Sequence, residues 1–154
     1  MELDVTIEIP RGSRVKYEID HETGRLRLDR VLFTSMQYPE IRVTGACPEH
    51  LDSFLIKLRQ AGVELAAAGV PFEIVPGVLV ESRPVGVFNM NDEAGGDAKI
   101  LCVSTDKRYD HIQGLDDIDE YKLKEIQHFF ERYKDLEPNK CVKGEGWEGR
   151  ETAE

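Results

Sequence analysis

The opening of the chain constrains its fold most, because apolar side chains recur there at every second position and only an extended strand serves a two-residue period. Leu3, Val5, Ile7 and Ile9 fall on one face, and Asp4, Thr6 and Glu8 on the other. Pro10 and Gly12 end this strand. Val15, Tyr17 and Ile19 then alternate with Lys16 and Glu18, and Leu26, Leu28 and the run Val31, Leu32, Phe33 supply a third strand. Between these two, Asp20-His21-Glu22-Thr23-Gly24 reads as a hairpin turn in which Gly24 can take a positive φ.

Further along, residues 77–90 are strand-like, with Pro84 and Gly86 marking an edge or a bend. A polar, glycine-rich loop over Asn91–Asp97 leads into a strand at Lys99–Val103. Leu123, Ile126, Phe130 and Tyr133 share one face of a helix expected over 119–133, and Pro138 closes that region. The acidic tail after Trp147 is expected to fray. Residues 40–75 differ in character and read β-α-β. An apolar run at 41–43 precedes a helix over 48–59, opened by Pro48, with Leu51, Phe54, Leu55 and Leu58 on one face; Gly62 stops it and Val63-Glu64-Leu65 follows. The fold class is therefore α+β, a small closed or partly open β-barrel with one main flanking helix and a further helix at 48–59. A length of 154 residues suits a single domain, 1–154.

The net charge of −10 argues against nucleic-acid binding, which needs basic surface to neutralise phosphates. No apolar run approaches the ~18 residues of a membrane span. The alternating start reads as a strand and not as a signal peptide. Cys47, Cys102 and Cys141 are odd in number, widely spaced and form no CxxC pair, as expected of reduced thiols in a cytoplasmic protein. The four histidines show no metal-ligand spacing, and no P-loop, GxSxG, HExxH or dinucleotide fingerprint occurs. What remains are charged groups. Glu8, Lys16, Glu18 and Arg30 occupy the polar side of the early strands, where a solvated face is the simplest reading. Asp92, Glu93 and Asp97 surround two glycines ahead of Lys99, which suits either a hard cation such as Mg²⁺ or an ordinary acidic turn. Tyr133 and Lys134 at the helix end could meet a phosphate oxygen, or could be a core tyrosine beside a lysine favoured by the helix dipole.

The order of these segments resembles the family I soluble inorganic pyrophosphatases. DVTIEIPRGSRVKYEIDHETGRLRLDR is similar to their opening, and PGVLVESRPVG, NDEAGGDAKILCV and EIQHFFERYKDLEPNK are similar to their later motifs, so that the likeness covers residues 1–39 and 76–150. It implies an OB-like barrel, a cytoplasmic homo-oligomer (a hexamer), and Mg²⁺-dependent hydrolysis of pyrophosphate to two phosphates, with no nucleic-acid or membrane partner. Carried over position by position, Glu8, Glu18, Asp92 and Asp97 would serve the metal. Lys16, Arg30, Tyr38, Lys99, Tyr133 and Lys134 would bind substrate.

Residues 40–75 depart from that pattern. The family's D-G-D-P-L-D motif, which supplies most central metal ligands and the carboxylate thought to act as general base, is absent, leaving only Glu40, Glu49, Asp52, Glu64 and Glu73 at other spacings. The catalytic base is therefore unassigned, and weak hydrolysis is expected, or a non-catalytic subunit that keeps the phosphate pocket. The stretch IRVTGACPEHLDSFLIKLRQAGVEL is weakly similar to a β-α-β repeat of enolpyruvyl transferases, but is too short to bring that activity. The family also carries a final helix beyond the position of Glu154.

Overall fold

The structure is a computed structural model that describes residues 2–20, 22–46, 63–68 and 75–153. Among the described residues are eight strands: β1 (Leu3–Ile9), β2 (Val15–Ile19), β3 (Leu26–Val31), β4 (Ile41–Ala46), β5 (Val63–Ala68), β6 (Leu79–Asp92), β7 (Gly95–Ser104) and β8 (Val142–Gly149). One helix of several turns, α1 (Glu120–Arg132), and a short helical turn, Arg150–Ala153, accompany them. Six strands form a sheet in the order β1-β4-β5-β7-β6-β8, and β1 pairs with β6 as well as with β4. Five strands thus follow one another in a ring of pairings, with β8 extending beyond β6. The β5–β7 ladder is parallel, while β1 runs antiparallel to both of its neighbours. β2 and β3 pair only with each other, as a separate hairpin outside this ring.

Alternation explains the ring, and bulges explain where it fails. Val5 and Ile7 pack with Ile41, Val43, Val87, Ile100 and Cys102 in one core cluster. A register shift between Ile7 and Ile9 in the β1–β4 ladder then turns Ile9 to the other cluster, so the four apolar residues of β1 do not share one face as their spacing suggested. One residue of slip exchanges the faces of a strand. β6 does the same near Pro84, which has no N–H to donate: its register shifts between Pro84 and Gly86. Val85, Phe88 and Met90 lie in the outer cluster and Val87 in the inner one.

The outer cluster is closed by α1. Asp119 caps the helix by accepting from Tyr121 N at 2.7 Å, and Ile126, Phe129 and Phe130 form its buried face. Phe129 lies 4.6 Å from the Tyr38 ring and 4.9 Å from that of Tyr133, with Phe130 at 5.3 Å. Burial of these rings removes large apolar area from water and fixes where the helix ends relative to the sheet.

Three expectations need correction. The Asn91–Asp97 stretch is a tight hairpin with β6 running through Asp92 and β7 starting at Gly95, whose φ of +114° is open to glycine. The tail does not fray at Trp147: β8 pairs with β6 as far as Gly86↔Gly149, and backbone pairing outweighs the polar composition. The third strand ends at Val31, after which Leu32 is buried and Phe33 exposed. The helix expected at 48–59 lies outside the described residues, and none of their helices is long and apolar enough to cross a membrane.

Candidate active site

The hairpin supplies the first group of charges. In the β2–β3 ladder Lys16 stands opposite Arg30, so a two-strand register brings two cations together. Lys16 Nζ donates to Glu18 Oε1 at 2.6 Å and to Asp29 Oδ2 at 2.9 Å, and Arg30 Nε donates to the same Asp29 oxygen at 3.0 Å. Burial works against the Asp29 carboxylate, but the bonds from Lys16 and Arg30 outweigh it and hold its carboxyl below the usual range. Arg30 Nη1 also donates to Glu137 Oε1, on the turn that follows α1.

The β6–β7 hairpin and the end of α1 supply the second group. Lys99 is almost fully buried, donates to Asp97 Oδ2 at 2.7 Å and lies 5.2 Å over the Phe130 ring. Lys134 Nζ is 3.7 Å from both Asp92 and Glu93, and Lys140 donates to Glu93 at 2.7 Å. That bond, with the nearby Lys134 charge, lowers the Glu93 carboxyl to about 2 against a small opposing cost of burial. Tyr38 and Tyr133 pack with Phe129 in one aromatic cluster, their rings 6.4 Å apart, and Lys134 Nζ lies 5.5 Å over the Tyr133 ring. Tyr38 is held by its backbone, donating N–H to Ser13 O at 2.9 Å and accepting from Gly12 N at 2.8 Å.

Glu8 stands at the margin of this arrangement. Its Oε1 accepts from Ile19 N at 3.1 Å, tying β1 to the hairpin, and its Oε2 lies 3.8 Å from Arg42 Nε on β4. Most of the charged candidates are thus linked in two chains, with Glu8–Arg42 and Asp97–Lys99 as further pairs. One runs from Glu18 through Lys16, Asp29 and Arg30 to Glu137, and the other from Asp92 and Glu93 to Lys134 and Lys140. The turn after α1 belongs to both.

Oxygen-only donors are the right chemistry for a hard divalent cation. Their arrangement is less favourable: Glu8, Glu18, Asp92 and Asp97 each lie against a different cation, respectively Arg42, Lys16, Lys134 and Lys99. Among the described residues no three potential ligands gather. The described donors therefore suit such a metal in kind, each held by a cation rather than gathered in a cluster.

Sequence reasoning missed four charged groups that the site brings in: Asp29, Arg42, Glu137 and Lys140. Asp29 was hidden by its place beside Arg30 on a strand read as alternating. Glu137 and Lys140 lay within EIQHFFERYKDLEPNK, where an acid three residues after Lys134 was the available signal. Arg42 gave none, since an arginine beside an apolar run reads as a strand's outer face.

Lysines and an arginine, each paired with carboxylates, are thus set on the barrel-like sheet, the hairpin and the end of α1. Comparison with known proteins identifies the family. A model of the inorganic pyrophosphatase family matches residues 5–154. The inorganic pyrophosphatase of Streptomyces coelicolor is 49% identical over 100% of this chain and 90% of its own length, and that of Escherichia coli K12 is 42% identical over 97% and 82%. Among solved structures, an inorganic pyrophosphatase from Coxiella burnetii superposes with a TM-score of 0.84 at 44% identity, covering 99% of this chain and 88% of that one. The enzyme from Thermus thermophilus gives 0.82 at 39% identity, covering 99% and 84%. The chain belongs to the inorganic pyrophosphatase family.

Proposed function

We propose that this chain hydrolyses inorganic pyrophosphate to two phosphates with Mg²⁺, more slowly than a member of the family with a full set of metal ligands. The observation that carries this reading is the convergence of Lys16 and Arg30 from the hairpin with Lys134 from the helix end, through the bond between Arg30 and Glu137. Pyrophosphate is highly anionic, so its oxygens must be neutralised before a water can attack. Lys16, Lys99 and Lys134 supply point charges, and Arg30 supplies a planar fork that matches two phosphate oxygens at once. Tyr38 and Tyr133 keep bulk water from the inner side of the pocket.

Asp92 and Asp97 would ligate Mg²⁺, with Glu8 and Glu18 holding its water shell. The metal would neutralise phosphate charge and lower the pKa of a bound water. The absence of D-G-D-P-L-D from residues 40–75, and the lack of a three-ligand cluster among the described residues, both support a weakened metal set. The catalytic base is unassigned for the same reason. We also read 1–154 as one domain with a replaced segment at 40–75, acting in the cytoplasm as a homo-oligomer, a hexamer by family likeness. The outward Leu28, Val31 and Phe33 of the hairpin and the residues after it are consistent with assembly.

The same pairing of each expected ligand with a cation favours a second reading, a non-catalytic family member that binds phosphate or pyrophosphate. Phosphate release from pyrophosphate, with and without Mg²⁺ and with Asp97→Asn alongside, separates the two. Mg²⁺-dependent release lost in Asp97→Asn supports hydrolysis. No release from folded protein refutes it in favour of the binding reading, and release at the full rate of an intact relative refutes the weakened site.

A further inference from the structure

Arg30 is gripped from two places far apart in the chain. Its own neighbour Asp29 accepts from Nε at 3.0 Å, and Glu137, on the turn after α1, accepts from Nη1. The hairpin that carries Arg30 shares no ladder with the ring of strands, so its strand pairing does not set its distance from the helix end. The Glu137 turn is itself fixed, with Glu137 N donating to Lys134 O at 2.9 Å. Glu137 therefore connects one candidate phosphate-binding group directly to the backbone of another.

The chemistry of the pair indicates a purpose beyond folding. The Glu137 side chain is only 6% exposed, and its Oε2 is buried with no hydrogen-bond partner. A carboxylate buried with half its accepting capacity unused costs stability, so the pair is poorly explained as a stabilising device. Its effect on Arg30 is specific. A guanidinium has five N–H donors in a rigid plane. Asp29 and Glu137 occupy one on Nε and one on Nη1, leaving both donors of Nη2 and one of Nη1 uncommitted. The Nη2 donors can serve phosphate oxygens.

We propose that Glu137 is a positioning residue: it holds Arg30 with its uncommitted donors turned to pyrophosphate and sets the hairpin cations at a fixed distance from Lys134. The inference rests on the reading of Arg30 as a phosphate-binding group. It predicts that Glu137 acts on pyrophosphate only through Arg30.

The test uses Glu137→Ala, Glu137→Gln, Arg30→Ala and the Arg30→Ala/Glu137→Ala double variant. KM and kcat are measured for pyrophosphate, Kd by calorimetry, and the exchange of the Arg30 Nη–H protons with solvent by NMR in ligand-free protein. Loss of a charged hydrogen bond that orients a binding group should raise KM and Kd about tenfold in Glu137→Ala, with kcat changed by less than about threefold. Glu137→Gln keeps an acceptor and should recover most of that loss. The double variant should bind no more weakly than Arg30→Ala alone, because Glu137 has nothing left to position. Effects that add in the double variant, or an unchanged Kd in Glu137→Ala beside a weakened Arg30→Ala, overturn the positioning role while leaving Arg30 as a phosphate ligand. An unchanged Kd in Arg30→Ala refutes the phosphate-binding reading instead. Should Glu137→Ala not fold, Glu137→Asp, whose carboxylate is one methylene shorter, takes its place: faster Nη–H exchange than in the wild type supports the grip on Arg30, and equal exchange overturns it. A wild type that does not bind pyrophosphate overturns the inference together with the reading of Arg30 on which it rests.

Discussion

Replacing Phe129 by alanine should cost this protein about 3–5 kcal/mol, the range for a fully enclosed aromatic ring. The side chain is 2% exposed and touches the rings of Tyr38, Phe130 and Tyr133. A buried phenylalanine removes on the order of 150–250 Å² from water, worth roughly 4–6 kcal/mol at about 25 cal/mol per Å², and a compact unfolded chain reduces that by some 10–40%. The two routes agree near 4 kcal/mol. Phe129→Leu keeps most of the volume and should lose only about 1–2 kcal/mol, part of it from ring–ring geometry. Urea unfolding at one fixed protein concentration measures both. The midpoint should fall with little change in slope, and Tm by at least ~6 °C for the alanine variant. A loss below ~1 kcal/mol for Phe129→Ala would mean that the ring is not packed against Tyr38, Phe130 and Tyr133 in solution, and the closure of this core cluster by α1 would be refuted.

Two further predictions concern charge. Glu93, held at about 2 chiefly by Lys140, contributes stability that is fully present above its ordinary value of 4.5 and is lost as pH falls towards 2. Lys140→Met should move its titration, followed by carboxyl ¹³C NMR, back towards 4.5, and an unmoved titration would show that the bond does not persist in solution. Glu40 has the opposite sign: burial raises its carboxyl above 4.5, although Lys122 lies 2.8 Å away. Its ionisation therefore costs stability at neutral pH, and the cost disappears as pH falls below 4.5. Glu40→Gln should match or exceed the wild type in urea midpoint at pH 7 and lose that advantage below pH 4.5; a variant much less stable than wild type at pH 7 would show that the Lys122 pair outweighs burial.

Much of the fold was legible because period-two alternation is a local property. β1, β2 and β6 stand where Val5, Tyr17 and Val87 indicated, and α1 where Ile126 and Phe130 did. The faces were less legible, because a bulge is a decision of the partner strand: nothing in TIEI signals that Ile9 will leave the face of Ile7. The tail was misread for a related reason, since the polar residues around Trp147 are ordered by β6 and not by each other. Within the site, the charged residues quoted from the family motifs were recognisable by order alone. The contacts among them were not. Arg30 and Glu137 are 107 residues apart, and no spacing rule connects them.

The position of β4 and β5 in the ring sets the terms on which their sequences can vary. Both strands lie between β1 and β7, so their neighbours on each side demand hydrogen bonds of fixed direction: antiparallel to β1, then parallel to β7. Backbone direction is therefore constrained at β4 and β5 by both flanking strands, independently of which side chains those strands carry. The sheet reads the polarity of a strand before it reads its chemistry.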